Sequence, residues 1–134
     1  MAFSPLARGF LTGTLQDVTT LGERDIRKTM PRFSPENYAA NLKLLDGYAA
    51  IAARVGCTPS QLALAWLLHR APHIIPIPGT RRITHLEDDL RADAVRLDAG
   101  VMQQLDALIN PRTVAGPRYD AMAQAGVDTE EFSA

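Results

Sequence analysis

The chain has 134 residues, 46% hydrophobic and 22% charged, an ordinary globular composition that allows about one domain with a sizeable core. A net charge of −1 argues against a generic binder of nucleic acid or anionic membranes, which needs a basic surface; a single cysteine excludes an internal disulfide framework and a Cys-rich zinc site. No apolar run reaches the roughly 18 residues of a membrane span, and no basic-then-apolar leader opens the chain, so a soluble cytoplasmic protein is expected.

Met1-Ala2-Phe3-Ser4 reads as a short strand or strand end that opens without any lead-in. Residues 5–34 read as a long loop, punctuated by Pro5, Gly9, Gly13, Gly22 and Pro31; loops of that length inside a compact domain are often functional. Ser34-Pro35 then opens a helix, with serine as cap and proline at the first helical position. Tyr38, Leu42, Leu45, Tyr48, Ala52 and Val55 recur every three or four residues and give it one buried face, and Gly56 is placed to end it in a left-handed turn. Thr58-Pro59-Ser60-Gln61 is a capping box for a second helix, whose apolar side holds Leu62, Ala65, Trp66 and His69 and which Pro72 stops.

His73 to Ile77 reads as a short buried strand, with Pro76 confining it to a strand end or edge. After the sharp turn Pro78-Gly79-Thr80, a third helix is expected over 82–92, burying Ile83, Leu86 and Leu90. A fourth is expected over 99–109, capped by Asp98 and carrying Val101, Met102, Leu105, Leu108 and Ile109. Residues 110–134 form a tail rich in proline, glycine and polar residues. The order β–loop–α–α–β–turn–α, with an extra helix and a tail, suggests α/β architecture with parallel βα units. The helices carry more apolar surface than two strands can cover.

Two segments carry candidate chemistry. Ile77-Pro78-Gly79-Thr80-Arg81-Arg82 places a glycine, a hydroxyl and two guanidiniums where a strand gives way to a helix. A helix start favours an anion, and arginine offers planar, bidentate donors suited to phosphate. The same six residues also read as a plain βα turn capped by Thr80, with two solvated arginines. In Ser4-Pro5-Leu6-Ala7-Arg8-Gly9-Phe10-Leu11-Thr12-Gly13, two glycines allow the backbone to approach a ligand, or simply shape a loop.

Taken together, these segments resemble the C-terminal part of the aldo-keto reductases. The likeness runs through Phe3-Ser4-Pro5-Leu6, Arg8 to Gly13, Pro31-Arg32-Phe33, Glu36-Asn37, Asn41-Leu42, Gly56-Cys57-Thr58-Pro59, Gln61 to Trp66, Ile75 to Thr80 and Leu86-Glu87. The tail Ala115-Gly116-Pro117-Arg118-Tyr119 is similar to that of one branch of the family. The resemblance implies an NADPH-dependent (β/α)₈ barrel reductase of aldehydes and ketones. Such barrels need about 250 residues, so the chain is expected to be a partial TIM barrel: the last two βα units, the final helix (1–110) and a C-terminal tail (111–134). An internal start or a truncated gene is the simplest account.

Carried over by resemblance, Ser4 and Leu6 contact the cofactor's pyrophosphate region, and Gly9, Leu11 and Thr12 belong to a loop folding over it. Gly79, Thr80 and Arg81 form the pocket for the 2′-phosphate, and Asp88 and Asp89 read the adenine. Asp89 stands where the family has asparagine, and His85 where it often has arginine, which bears on the preference for NADPH over NADH. The family's catalytic aspartate, tyrosine, lysine and histidine come from earlier strands, and their motifs are missing here, so no catalytic residue is assigned and the chain alone is expected to be inactive. Tyr38 and Tyr48 are expected in the core. Cys57, His69, His73 and His85 lack metal-ligand spacing, so no metal is expected. Glu23 to Lys28 reads as a solvated loop face or as a cover for cofactor in a complete barrel. The expected partner is a small carbonyl substrate, with neither nucleic acid nor membrane. The alternatives are a non-catalytic nucleotide-binding fragment and a small helix–turn–helix-like interaction module around Gly56.

Overall fold

The computed structural model describes residues 1–126. Its elements follow the expected order through β1 (Ala2–Phe3), α1 (Pro35–Val55), α2 (Pro59–Arg70), β2 (Pro76–Ile77), α3 (Ile83–Leu90) and α4 (Ala99–Leu108), and a short helix not expected in the tail, α5 (Ala121–Ala125), follows. The two strands pair in parallel, Ala2 opposite Pro76 and Phe3 opposite Ile77. The expected strand at 73–77 shrinks to two residues; Pro76 takes its first position, where the missing N–H removes nothing from the ladder. The helix-rich arrangement with one parallel pair is that of part of a βα barrel.

Local chemistry sets the helix ends. Ser34 Oγ accepts from the amide of Asn37 at the start of α1, and Gly56, at φ 79°, ends it with an αL cap bonded to Ala52 and Ala53. Thr58 and Gln61 form the reciprocal capping box of α2, and Asp98 caps α4. Helix α2 lies in the middle of the molecule: Gln61 through Ala65 are all buried, and Leu62 is fully enclosed. The C-terminal end of the helix, His69 and Arg70, is exposed. Around α2 gather Leu45, Tyr48, Ile51 and Ala52 of α1, Leu97, and Leu105 of α4.

Two expectations need correction. Residues 5–34 are not plain loop: 3₁₀ turns occupy Val18–Thr20, Ile26–Thr29 and Pro31–Phe33, and Ala7–Thr12 holds short turns broken by a left-handed kink at Arg8 and Gly9. Such turns close on i→i+3 bonds over too few residues to leave a hydrophobic period in the sequence. The face of α3 expected to be buried is the exposed one, with Ile83, Leu86 and Leu90 at 76%, 45% and 68% exposure; the helix instead buries Asp89, and Ala92 in the turn behind it. Of the expected tail at 111–134, residues 127–134 lie outside the described residues.

Tyr38 and Tyr48 are core residues, as expected, and each hydroxyl donates to a backbone carbonyl: Tyr38 to Leu15 at 2.7 Å, Tyr48 to Pro59 at 2.8 Å. Burial raises both phenol pKa values, most strongly for Tyr48. Trp66 donates its indole N–H to Asp106 at 2.9 Å and lies under the Arg70 guanidinium, 4.3 Å from the ring centre. His69 Nδ1 is 2.8 Å from the carbonyl of Ala65, and its Nε2 accepts from the Leu97 amide at 3.3 Å. The ring thereby ties the end of α2 to the segment before α4. Among the described residues no helix is long and apolar enough to cross a membrane, and no cluster of His, Cys, Asp and Glu could hold a metal.

Candidate functional site

Because β1 and β2 are neighbours and parallel, the segments leaving their C-terminal ends emerge side by side. Between those segments, the Ile26–Thr29 turn and α3 lies a groove of about 740 Å³. Six of the nine cofactor candidates line it: Ser4, Leu6, Gly9, Gly79, Asp88 and Asp89; so does Thr12. Three do not. Leu11 packs against the core and lines a separate apolar cavity beneath β1. Thr80 and Arg81 lie in the turn between Gly79 and His85, both of which face the groove.

The turn before α3 differs from the other helix starts. Thr80 does not cap α3; its hydroxyl donates to the carbonyl of Arg82 at 3.1 Å and accepts from the Arg82 amide at 3.4 Å. The N-cap is Arg82, which offers no side-chain acceptor to the first amides. Ser34, Thr58, Asp98 and Asp120 cap α1, α2, α4 and α5 with side-chain oxygens, so α3 is the one α-helix among the described residues begun without one. An uncapped start keeps its partial positive charge available to an external anion.

On the opposite wall, the loop after β1 is wound into left-handed conformations. Ser4, Ala7, Arg8 and Gly9 have φ values of 50°, 49°, 56° and 89°. Three are not glycine, and such backbone is costly unless its surroundings hold it, which makes it common at ligand sites. Part of that hold comes from Arg27. Its guanidinium donates to the Arg8 carbonyl at 3.2 Å and closes a paired contact on Asp25, with Nε to Oδ1 at 2.9 Å and Nη2 to Oδ2 at 2.7 Å. The hydrogen bonds from Arg27 draw the Asp25 carboxyl down to about 2.

The two aspartates of α3 differ. Asp88 is engaged on both oxygens, accepting from Gln61 Nε2 at 2.7 Å and from the Thr58 hydroxyl at 2.9 Å. Asp89 is buried; desolvation first, then repulsion from Asp88, raises its pKa, with His85 opposing. Cys57 beside this network is pushed up by burial and by Asp88, which makes it a poor nucleophile.

Arg8, Thr58 and Ser60 line the groove without having been assigned to it, and Asp25, Ile26 and Arg27 line it from the Glu23–Lys28 stretch that the sequence offered either as a solvated face or as a cofactor cover. The available signal was Asp25-x-Arg27: opposite charges two residues apart can close on each other in a tight turn.

A parallel strand pair with a groove at the C-terminal tips is the arrangement in which βα barrels carry their sites. Residues 1–110 match the model of the aldo/keto reductase family, and the chain belongs to that family of barrel oxidoreductases. Aldo-keto reductase yakc (NADP(+)) of Schizosaccharomyces pombe is 38% identical over 119 residues, 89% of this chain and 35% of that protein. The solved glycerol dehydrogenase AKR11B4 from Gluconobacter oxydans superposes with a TM-score of 0.72 at 25% identity, covering 90% of this chain and 36% of that one. The chain thus spans about a third of the length of these relatives.

Proposed function

We propose that the chain forms the phosphate- and adenine-binding part of an NADPH-dependent reductase of aldehydes and ketones, and leaves acid catalysis to residues outside it. Residues 1–110 supply the βα units and extra helix, and 111–134 the tail. The observation carrying this reading is the parallel pairing of β1 with β2, which puts both post-strand segments on one groove beside the uncapped start of α3.

The residues present suit a dinucleotide's charged end. The groove lies between a strained backbone loop and a helix start, which suits backbone approach to a pyrophosphate. Ser4, Leu6 and Gly9 would hold the pyrophosphate region; Gly79, Thr80 and Arg81 would hold the 2′-phosphate. Leu11 would act only through the packing of the loop. Asp89 would accept from the adenine amino group, and Asp88 would fix α3 against α2. The cofactor, when bound, supplies the hydride. The S. pombe relative's NADP(+) label supports the choice of dinucleotide.

The test is a fluorescence titration of the chain with NADPH and NADH. NADPH is expected to bind more tightly, and Arg81→Ala to weaken NADPH about tenfold with little change for NADH, the size of one charge-assisted contact. Equal losses for both would remove the 2′-phosphate assignment, and no binding of either would remove the reading. Carbonyl reduction by the chain alone would overturn the placing of acid catalysis elsewhere.

A further inference from the structure

A third cavity, about 130 Å³, lies beside the groove and shares Ser4, Pro5 and Arg8 with it. Its walls are the tip of β1, the Met30–Phe33 stretch and the tail at Arg118 and Tyr119. Three arginines line it, Arg8, Arg32 and Arg118, and no carboxylate does. The salt bridges among the described residues are Asp25–Arg27 and Asp106–Arg70, so none of these three is paired with a described acid.

The tail is docked by specific bonds. Asn41, itself buried, donates to the Ala115 carbonyl at 3.0 Å and accepts from the Ala115 amide at 2.7 Å. Arg32 Nε donates to the Gly116 carbonyl at 3.1 Å. Gly116 has φ 82°, and a Cβ there would meet the Asn37 amide nitrogen at 2.6 Å, so the position needs glycine. This docking brings Arg118 over the Phe3 ring, 5.7 Å from its centre, across the cavity from Arg32. Desolvation first, then the charge of Arg118, lowers the Arg32 pKa. A half-buried guanidinium, Arg32, repelled by the exposed Arg118 beside it, with no carboxylate among the described residues of the cavity wall, is stabilised by an anion. The cavity is far too small for a nucleotide, and it opens next to the groove assigned to one.

We propose that this cavity receives an acidic group of the substrate, with Arg32 and Arg118 as its recognition residues, so that the carbonyl compounds served carry a carboxylate, an inference that rests on the reductase reading above. Arginine's fork matches a carboxylate bidentately. Tyr119 and Ser4 add neutral hydroxyls to the same walls.

The probes are levulinate, a short keto acid, and its uncharged methyl ester, each titrated into the ¹⁵N-labelled chain with NADP(+) present, following the arginine Nε–H signals. Levulinate is expected to shift the Arg32 and Arg118 signals saturably, and the ester to leave them in place. Arg118→Gln should weaken levulinate about fivefold or more, and Arg118→Lys, which keeps the charge but loses the fork, should fall between Gln and the parent, both with NADP(+) affinity unchanged. Arg118 is exposed and makes no backbone bond in the docked tail, so these variants keep the fold that Arg32→Ala would endanger. Equal responses to acid and ester, no binding of levulinate, or indifference to Arg118→Gln would overturn the assignment. Failure of the cofactor reading would show separately, as loss of NADP(+) binding by the unsubstituted chain.

Discussion

Asp25 and Arg27 stand two residues apart, and their side chains close on each other across a single turn. Asp25 Oδ1 accepts from the Arg27 backbone amide at 2.9 Å as well as from its Nε, so one carboxylate fixes both backbone and side chain. The guanidinium also lies 5.9 Å from the centre of the Phe33 ring, which limits its orientation further. So positioned, it holds the carbonyl of Arg8 in left-handed backbone that the residue would leave on its own. The pairing is sensitive to acid. Asp25 falls from its ordinary 3.8 to about 2 in the folded protein, so its contribution to stability is complete above 3.8 and disappears as pH drops through about 2. The Arg27 Nε–H and Gly9 amide signals should therefore titrate together, with a midpoint near 2, in an acid NMR series. Asp25→Asn should abolish that titration. A midpoint near 3.8 would mean that the pair does not form.

At the scale of elements, the cap of α2 is also the anchor of α3. Thr58 Oγ accepts from the Gln61 amide at 3.1 Å, Gln61 Oε1 accepts from the Thr58 amide at 3.2 Å, and both side chains then donate to Asp88. Thr58→Ala removes the cap and one bond to Asp88, and should cost about 2 kcal/mol in urea unfolding, at the upper end for a lost cap. Thr58→Ser retains the hydroxyl and should stay within about 0.5 kcal/mol of the parent. Equal losses for the two would show that the hydroxyl is not the cause. Half of this arrangement was legible in the sequence and half was not. Ser34, Gly56, Thr58 and Asp98 announce helix ends because a cap bonds within three or four residues of itself. The role of Asp88 was illegible because its partners lie 27 and 30 residues away. The groove was legible in outline for a related reason: Ser4 and Gly79 lie within two residues of the strand tips, and Gly9 in the loop that leaves β1. Thr80 and Arg81 fell outside the lining because the turn that holds them is ordered by its own Thr80–Arg82 bonds, which no local pattern specifies.

For the molecule as a whole, the decisive quantity is the ratio of strand to helix. Two strands of two residues each shield little apolar surface, and the consequence shows on α3. Ile83, Leu86 and Leu90 have the three-and-four spacing of a buried face, which is why the sequence predicted burial, yet all three lie open. Phe3, Ile75 and Ile77 are exposed beside the sheet as well. Apolar side chains concentrated along one helix and one sheet drive association. A double variant Ile83→Lys, Leu90→Lys should therefore change the urea midpoint of this chain little, by less than about 0.5 kcal/mol, because neither side chain loses buried contacts. The same pair should reduce self-association in sedimentation, since it places two like charges where apolar surface was open. In a chain extended to the full length of the relatives, the outcome should reverse, with a loss of about 2 kcal/mol or more per site if further βα units cover this face. A large loss in the present chain would instead mean that α3 turns its apolar side inward here. The groove would then have to be redrawn, because a helix rotated by half a turn carries His85, Asp88 and Asp89 away from the strand tips.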